Sequence, residues 1–181
     1  LFFLILLKQQ TVSLHQTSLV ACLLYATVGE LFLSLGWGLY EYRLHNVPLV
    51  VPPGHVLLVT LGLLTAPKLP GWFIWVVPVL TTPYVIFATW QGFDTMGGVL
   101  FLMFLGCLVF GTEKKLFATM FVLSLLLEIY GTWIGNWVWS EQVPWLPLTS
   151  TNPPLCAGTF YCVLDLLVVS TVNQVAGKFP K

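Results

Sequence analysis

The chain has 181 residues, of which 57% are hydrophobic and 8% charged, with a net charge of zero and a mean hydropathy of +0.90. A soluble domain carries about a quarter charged residues, so this chain lacks the polar groups to cover a water-facing surface, and its solvent is lipid. A neutral chain also has no basic field to hold nucleic acid, and no nucleic-acid partner is expected.

LFFLILL opens the sequence inside an apolar run. A spanning helix needs roughly 20 residues, so residues 1–7 are expected to be the end of a helix that starts earlier, or a trimmed tail. A signal-peptide core ranks last, because no small-residue cleavage site follows. Six apolar stretches come next, at 17–37, 54–66, 72–90, 96–111, 115–135 and 155–176. Each should be helical, since lipid satisfies no backbone polar group. The second is short and runs into Pro67 and Pro70; it either tilts or borrows the extended VPLVV before it. Pro52-Pro53 and Pro153-Pro154 suit first turns of the second and sixth stretches, and Asn152 suits a cap of the sixth. The expected fold is all-α, a polytopic transmembrane bundle of six full spans plus a truncated first helix.

The charges sort by connection. Lys8, Lys68, Lys114, Lys115, Lys178 and Lys181 fall on one side, and Arg43 falls on the other with Glu41, Asp94 and Glu141. Lys-rich connections face the cytoplasm, which places the chain in a membrane such as the bacterial inner membrane with the other connections outward. Two of those outward connections look like copies. Glu30 precedes Gly38, Tyr40, Tyr42, Val47-Pro48 and Pro52-Pro53; Glu128 precedes Gly135, Trp137, Trp139, Val143-Pro144 and Pro153-Pro154. With residues 1–7 as the end of a lost helix, the plan is a 3+1+3 parallel repeat: residues 1–66, a linking helix within 67–94, and residues 95–181.

Glu30, Glu128 and Asp165 are the candidate catalytic residues. Each is a carboxyl inside an apolar helix, where it costs a few kcal/mol and turns toward the bundle interior or a watery cavity. Thr27, Glu30, Ser34 and Trp37 share one helix face, as do Ser124, Glu128, Gly131, Thr132 and Gly135, so two polar stripes should set the carboxyls across one cavity. Such a group, kept neutral by burial, is a general acid. Asp165 lacks a counterpart in the second stretch, and Tyr161, four residues earlier on its face, is placed to satisfy it. The candidate substrate-binding residues are Trp37, Tyr40, Tyr42, His55, Asn136, Trp137 and Trp139. Trp and Tyr belts are ordinary at headgroup depth. Alternate aromatics beside Gly and Pro nevertheless suggest an extended segment dipping back, whose rings suit a polyene or stabilise a carbocation.

No metal site or cofactor is expected. His15, His45 and His55 form no ligand motif, and Cys22, Cys107, Cys156 and Cys162 have no metal, redox or haem spacing. No Lys lies within a span, which excludes a retinal Schiff base, and no nucleophile motif or phosphate loop is present.

The stretch GLYEYRLHNVPLVVPPG, with Glu30, Gly38, Tyr40, Tyr42, Val47, Pro48 and Pro52, resembles the membrane-integral carotenoid hydratases of the bacterioruberin pathway, and EIYGTWIGNWVW echoes the same Glu-x-x-Gly-Thr-x-x-Gly run. The resemblance implies acid-catalysed hydration or cyclisation of an isoprenoid double bond, with a Glu or Asp delivering the proton. Its expected partners are the bilayer and an isoprenoid or other lipid ligand. Two other classes compete on the sequence. A small transporter shares the parallel-repeat plan but lacks the Pro-Gln pairs of that group; an accessory subunit of a larger membrane complex fits the low charge and the interfacial aromatics.

Overall fold

The computed structural model describes residues 16–178, with side chains described to residue 175. The apolar run at 1–7, Lys8, His15, the Lys178 side chain and Lys181 lie outside the described residues. Helix α1 (Gln16–Glu30) continues as a π-helical turn (Leu31–Gly36), and α2 (Val51–Thr65) ends in a short 3-10 turn (Ala66–Lys68). Helices α3 (Phe73–Gln91), α4 (Thr95–Phe110), α5 (Lys114–Trp133) and α6 (Gly158–Lys178) complete the described bundle, with strands β1 (Tyr40–Tyr42) and β2 (Trp137–Trp139) on the connections before α2 and α6.

Among the described residues four segments are long and apolar enough to cross a membrane: Gln16–Gly36, Phe73–Gln91, Lys114–Trp133 and Gly158–Val175. The chain is thus a multi-pass, largely helical membrane protein. Helices α2 and α4, with 15 and 16 residues, extend only about 23 Å at ~1.5 Å per residue, against a hydrocarbon core of about 30 Å. Six described helices match the six apolar stretches, and four of them have the length and hydropathy of a full span. The outward face of α1 shows why lipid is required. Val20, Leu24, Val28, Leu31 and Leu35 form a stripe about one turn apart, each at least 44% exposed, which water would penalise and acyl chains do not.

Helix α1 packs on α2 and α6, α5 packs on the same two, and α3 with α4 flank α5. Phe104, Phe117 and Phe121 are fully buried in the larger core, with the Phe104 and Phe121 rings 4.4 Å apart. The α5–α6 contact is close because Gly158 lies on α5: a Cβ there would stand 2.6 Å from the Phe121 carbonyl oxygen. Lys115 Nζ donates to the Leu69 carbonyl at 3.0 Å, joining the first turn of α5 to the α2–α3 connection at one end. At the other end Met96 N–H donates to the Thr149 carbonyl at 2.9 Å and the Thr149 hydroxyl to the Gly92 carbonyl at 2.7 Å.

Strands β1 and β2 pair antiparallel, with Tyr40 opposite Trp139, Glu41 opposite Val138 and Tyr42 opposite Trp137. The alternate aromatics therefore do lie on extended segments, and the pairing brings the connections before α2 and α6 together. Three local expectations fail. Helix α2 starts at Val51, and VPLVV is a turn closed by Val51 N–H to the Pro48 carbonyl at 2.9 Å; Pro52 and Pro53 are tolerated there because first-turn N–H groups have no intrahelical partner. Helix α6 begins only at Gly158, so Pro153 and Pro154 precede its first turn. Asn152 does not cap that helix; its Oδ1 accepts the Trp139 N–H at 3.0 Å and ties the segment to β2.

Candidate functional site

Glu30 closes α1 and Glu128 sits in the last turns of α5; they are 7% and 6% exposed. Each is held by the alternating aromatics that follow it. The Tyr40 and Tyr42 hydroxyls both donate to Glu30 Oε2 at 2.7 Å. The Trp137 and Trp139 indole N–H groups donate to Glu128 Oε2 at 2.8 and 3.1 Å. An indole N–H only donates, so Glu128 Oε2 is fixed as an acceptor. Burial, and after it the neighbouring Glu30 carboxyl, pushes both tyrosine hydroxyls well above their ordinary range, so they too remain protonated donors. One oxygen of each carboxyl is thereby anchored by two donors.

Cross-strand stacking stiffens this clamp. The Tyr40 and Trp139 rings are 4.8 Å apart, and Tyr42 meets Trp137 edge-on at 5.9 Å. Gly131 makes room for it. A Cβ at that position would fall on the Trp137 ring, so only glycine lets the indole lie over α5 and reach back to Glu128. Nine residues separate Glu128 from Trp137 and ten separate Glu30 from Tyr40. The π turn, with its Trp37 N–H to Phe32 carbonyl bond, takes up extra chain in a way an α-helix does not. Gly38 and Gly135 both have positive φ, 75° and 69°, a conformation glycine adopts without steric cost, and each turns the chain from helix into strand.

Glu30 Oε1 faces His55 Nε2 at 3.4 Å. His55 Nδ1 lies 3.1 Å from the Val51 carbonyl, which only accepts, so Nδ1 carries a hydrogen and Nε2 is the nitrogen presented to Glu30. A proton on the Oε1–Nε2 line turns this approach into a hydrogen bond. The His55 ring stacks on Tyr161 at 4.7 Å, nearly parallel at 2°.

Glu30 and Glu128 line the same two cavities. One, of 780 Å³, is bounded by both carboxyls, His55, Tyr42, Trp137 and Tyr161. Between α2 and α5 it is lined by Leu57, Leu61 and Leu127, which are 37%, 48% and 36% exposed. Arg43 and Asn136 stand at its outer rim. The other, of 260 Å³, runs between α1 and α6 and is bounded by both carboxyls, Tyr40, His55, Trp139 and Tyr161.

Of the residues singled out from sequence, Glu30, Glu128, Tyr40, Tyr42, His55, Asn136, Trp137 and Trp139 are gathered here. Two are not. Trp37 donates to the Pro144 carbonyl at 2.7 Å and stacks on Trp145 at 6.3 Å, because the π turn rotates it off the face that carries Glu30. Asp165 lines a separate 210 Å³ cavity with Cys22, Thr60 and Asn173, and Tyr161 does not satisfy it. The polar stripes do not line the site either: Thr27, Ser124 and Thr132 donate to carbonyls one turn back on their own helices. Tyr161 is the residue that the sequence reading misplaced. It lines both cavities with Glu30 and Glu128, one helical turn nearer the strands than Asp165, and its depth was the signal that could have assigned it to them. Among the described residues no three His, Cys, Asp or Glu side chains gather as metal ligands. Compared with protein-family models, curated proteins and solved structures, the chain has no match.

Proposed function

We propose that the chain is a membrane-embedded acid catalyst that protonates a carbon–carbon double bond of an isoprenoid or similar lipid, then adds water or closes a ring. The observation that carries this reading is that Glu30 and Glu128, on different helices, bound one 780 Å³ cavity together with aromatic rings and lipid-facing leucines. That volume lies within the range of roughly 300–1,000 Å³ typical of ligand sites, and the opening between α2 and α5 gives an apolar chain a lateral way in from the bilayer. The resemblance to carotenoid hydratases points to the same chemistry.

In the proposed step Glu30 is the donor. Its proton, on the Oε1 side that faces His55, passes to one alkene carbon and leaves a carbocation on the other. The faces of Tyr42 and Trp137 stabilise that cation. Water attacks the cation and gives its surplus proton to Glu128, or a second double bond attacks and the ring-closed cation loses a proton there. One proton enters and one leaves, and Tyr161, which lines both cavities with the two carboxyls, returns it to Glu30.

The two-half plan belongs to the same reading. The Tyr40–Trp139 and Tyr42–Trp137 register, the matching glycine turns and the matching carboxyl clamps support a repeat in which α1 corresponds to α5 and α2 to α6. The end that carries Lys68, Lys114 and Lys115 is the cytoplasmic one, in a bacterial inner membrane.

The test compares chromatograms of pigment and lipid extracts from cells expressing the wild type, Glu30→Gln and Glu128→Gln. Loss of a wild-type product in both variants, at unchanged membrane levels of the protein, is expected. Unchanged product in both overturns the reading.

A further inference from the structure

Asp165 is 1% exposed, and both of its carboxyl oxygens lack a hydrogen-bond partner. Buried polar groups are almost always paired, and a buried carboxylate without a donor or counter-charge is among the costliest arrangements in a protein interior. Among the described residues around its cavity there is no Lys, Arg or His. His55 is engaged with Glu30, and Lys115 with the Leu69 carbonyl. The neighbours Cys22 and Cys107 bring no positive charge. Among the described residues no side chain supplies the missing partner, and the cavity beside the acid is open to a ligand that does.

We propose that the Asp165 cavity is a second binding site, separate from the Glu30–Glu128 cavity, and that its ligand is a small aliphatic ammonium ion. Three features select that chemistry. The space is 210 Å³, where one water takes about 30 Å³ of liquid, so it holds a molecule of several heavy atoms. Its walls are mostly aliphatic, with Leu19, Val59, Val168 and Val172 among them, which suits methylene groups and penalises a hydrated metal ion. At the acid, an ammonium brings three donors. The two Asp165 oxygens accept two of them. The Thr60 hydroxyl, which spends its own hydrogen on the Val56 carbonyl at 2.7 Å, is left as the third acceptor. A single carboxyl matches a single positive charge. Asn173, exposed at the α6 end of the lining, marks the mouth.

Calorimetric titration of the protein in lipid nanodiscs with n-propyl-, n-butyl- and n-pentylammonium chloride tests the proposal. Saturable binding is expected, tightening about fourfold per added methylene, abolished by Asp165→Asn and retained in Glu30→Gln. Val169→Phe, which fills the cavity and leaves the carboxyl in place, should weaken the pentyl ion more than the propyl ion; this variant decides the matter if Asp165→Asn fails to fold. Equal heats with n-butanol, undiminished binding to Asp165→Asn, or full competition by sodium or potassium ions would each overturn it.

Discussion

Gly131→Ala is the sharpest probe of the clamp on Glu128. An added Cβ falls on the Trp137 ring, so the indole has to leave and its 2.8 Å bond to Glu128 Oε2 is lost. A hydrogen bond to a carboxyl contributes about 1 kcal/mol when both groups are neutral and about 1.5–3 kcal/mol when one is charged. Opposing this, Ala stabilises a helix interior over Gly by about 1 kcal/mol. The displaced, half-buried ring adds roughly another 1 kcal/mol of lost apolar burial, which leaves a net destabilisation of ~1–3 kcal/mol. Gly106→Ala is the matched control. It changes the same residue type within α4, where a Cβ meets nothing within 4 Å, and should stabilise by up to about 1 kcal/mol. Reversible unfolding in mixed micelles, followed by circular dichroism, reads both variants. If Gly131→Ala proves as benign as Gly106→Ala, the indole is not held where the clamp requires it.

Asp94 accepts the Gly97 N–H at 3.0 Å at the start of α4, so Asp94→Ala should cost about 1 kcal/mol in the same unfolding assay. Burial pushes its carboxyl above the ordinary Asp value, against the lowering effect of the Gly97 and Leu155 backbone bonds. The folded state therefore holds this proton more tightly than the unfolded chain does. Its contribution to stability is full below the unfolded value of about 3.9 and declines as pH rises toward the folded value. Asp94→Asn keeps the acceptor and should remove that slope from a plot of unfolding midpoint against pH; an unchanged slope would assign it elsewhere. Gly158→Ala drives a Cβ into the Phe121 carbonyl and the Ser124 hydroxyl. Backbone cannot rotate away as a side chain can, so a loss of about 1–3 kcal/mol is expected, and a neutral result would mean that α5 and α6 are further apart.

The helices were legible because lipid makes apolar length and helix nearly synonymous: 17–37 became Gln16–Gly36 and 115–135 became Lys114–Trp133. The carboxyl pair was legible too, since an acid in such a stretch has few places to point. Periodicity failed where the helix stopped being regular. The π turn after Glu30 broke the 3.6-residue repeat, which moved Trp37 away from the cavity. The expected tie between Tyr161 and Asp165 failed for another reason: residues one turn apart share a face but differ by about 5.4 Å in depth, enough to open onto different cavities. Hydroxyls such as Thr27 and Thr132 looked like a polar stripe, yet their own helix backbone took them up, as is common for Ser and Thr in helices. What joins the two aromatic connections is the β1–β2 register, and nothing local in either segment specifies its partner.

A double-mutant cycle on Glu30→Gln and Glu128→Gln, read as unfolding free energy, tests most directly whether the two carboxyls act in one space. Groups that share a cavity and a neighbour couple by more than about 0.5 kcal/mol, whereas separated sites add to within that margin. The predicted result is coupling above it for Glu30 with Glu128 and additivity for Glu30 with Asp165→Asn. Additivity for the glutamate pair would contradict the shared site.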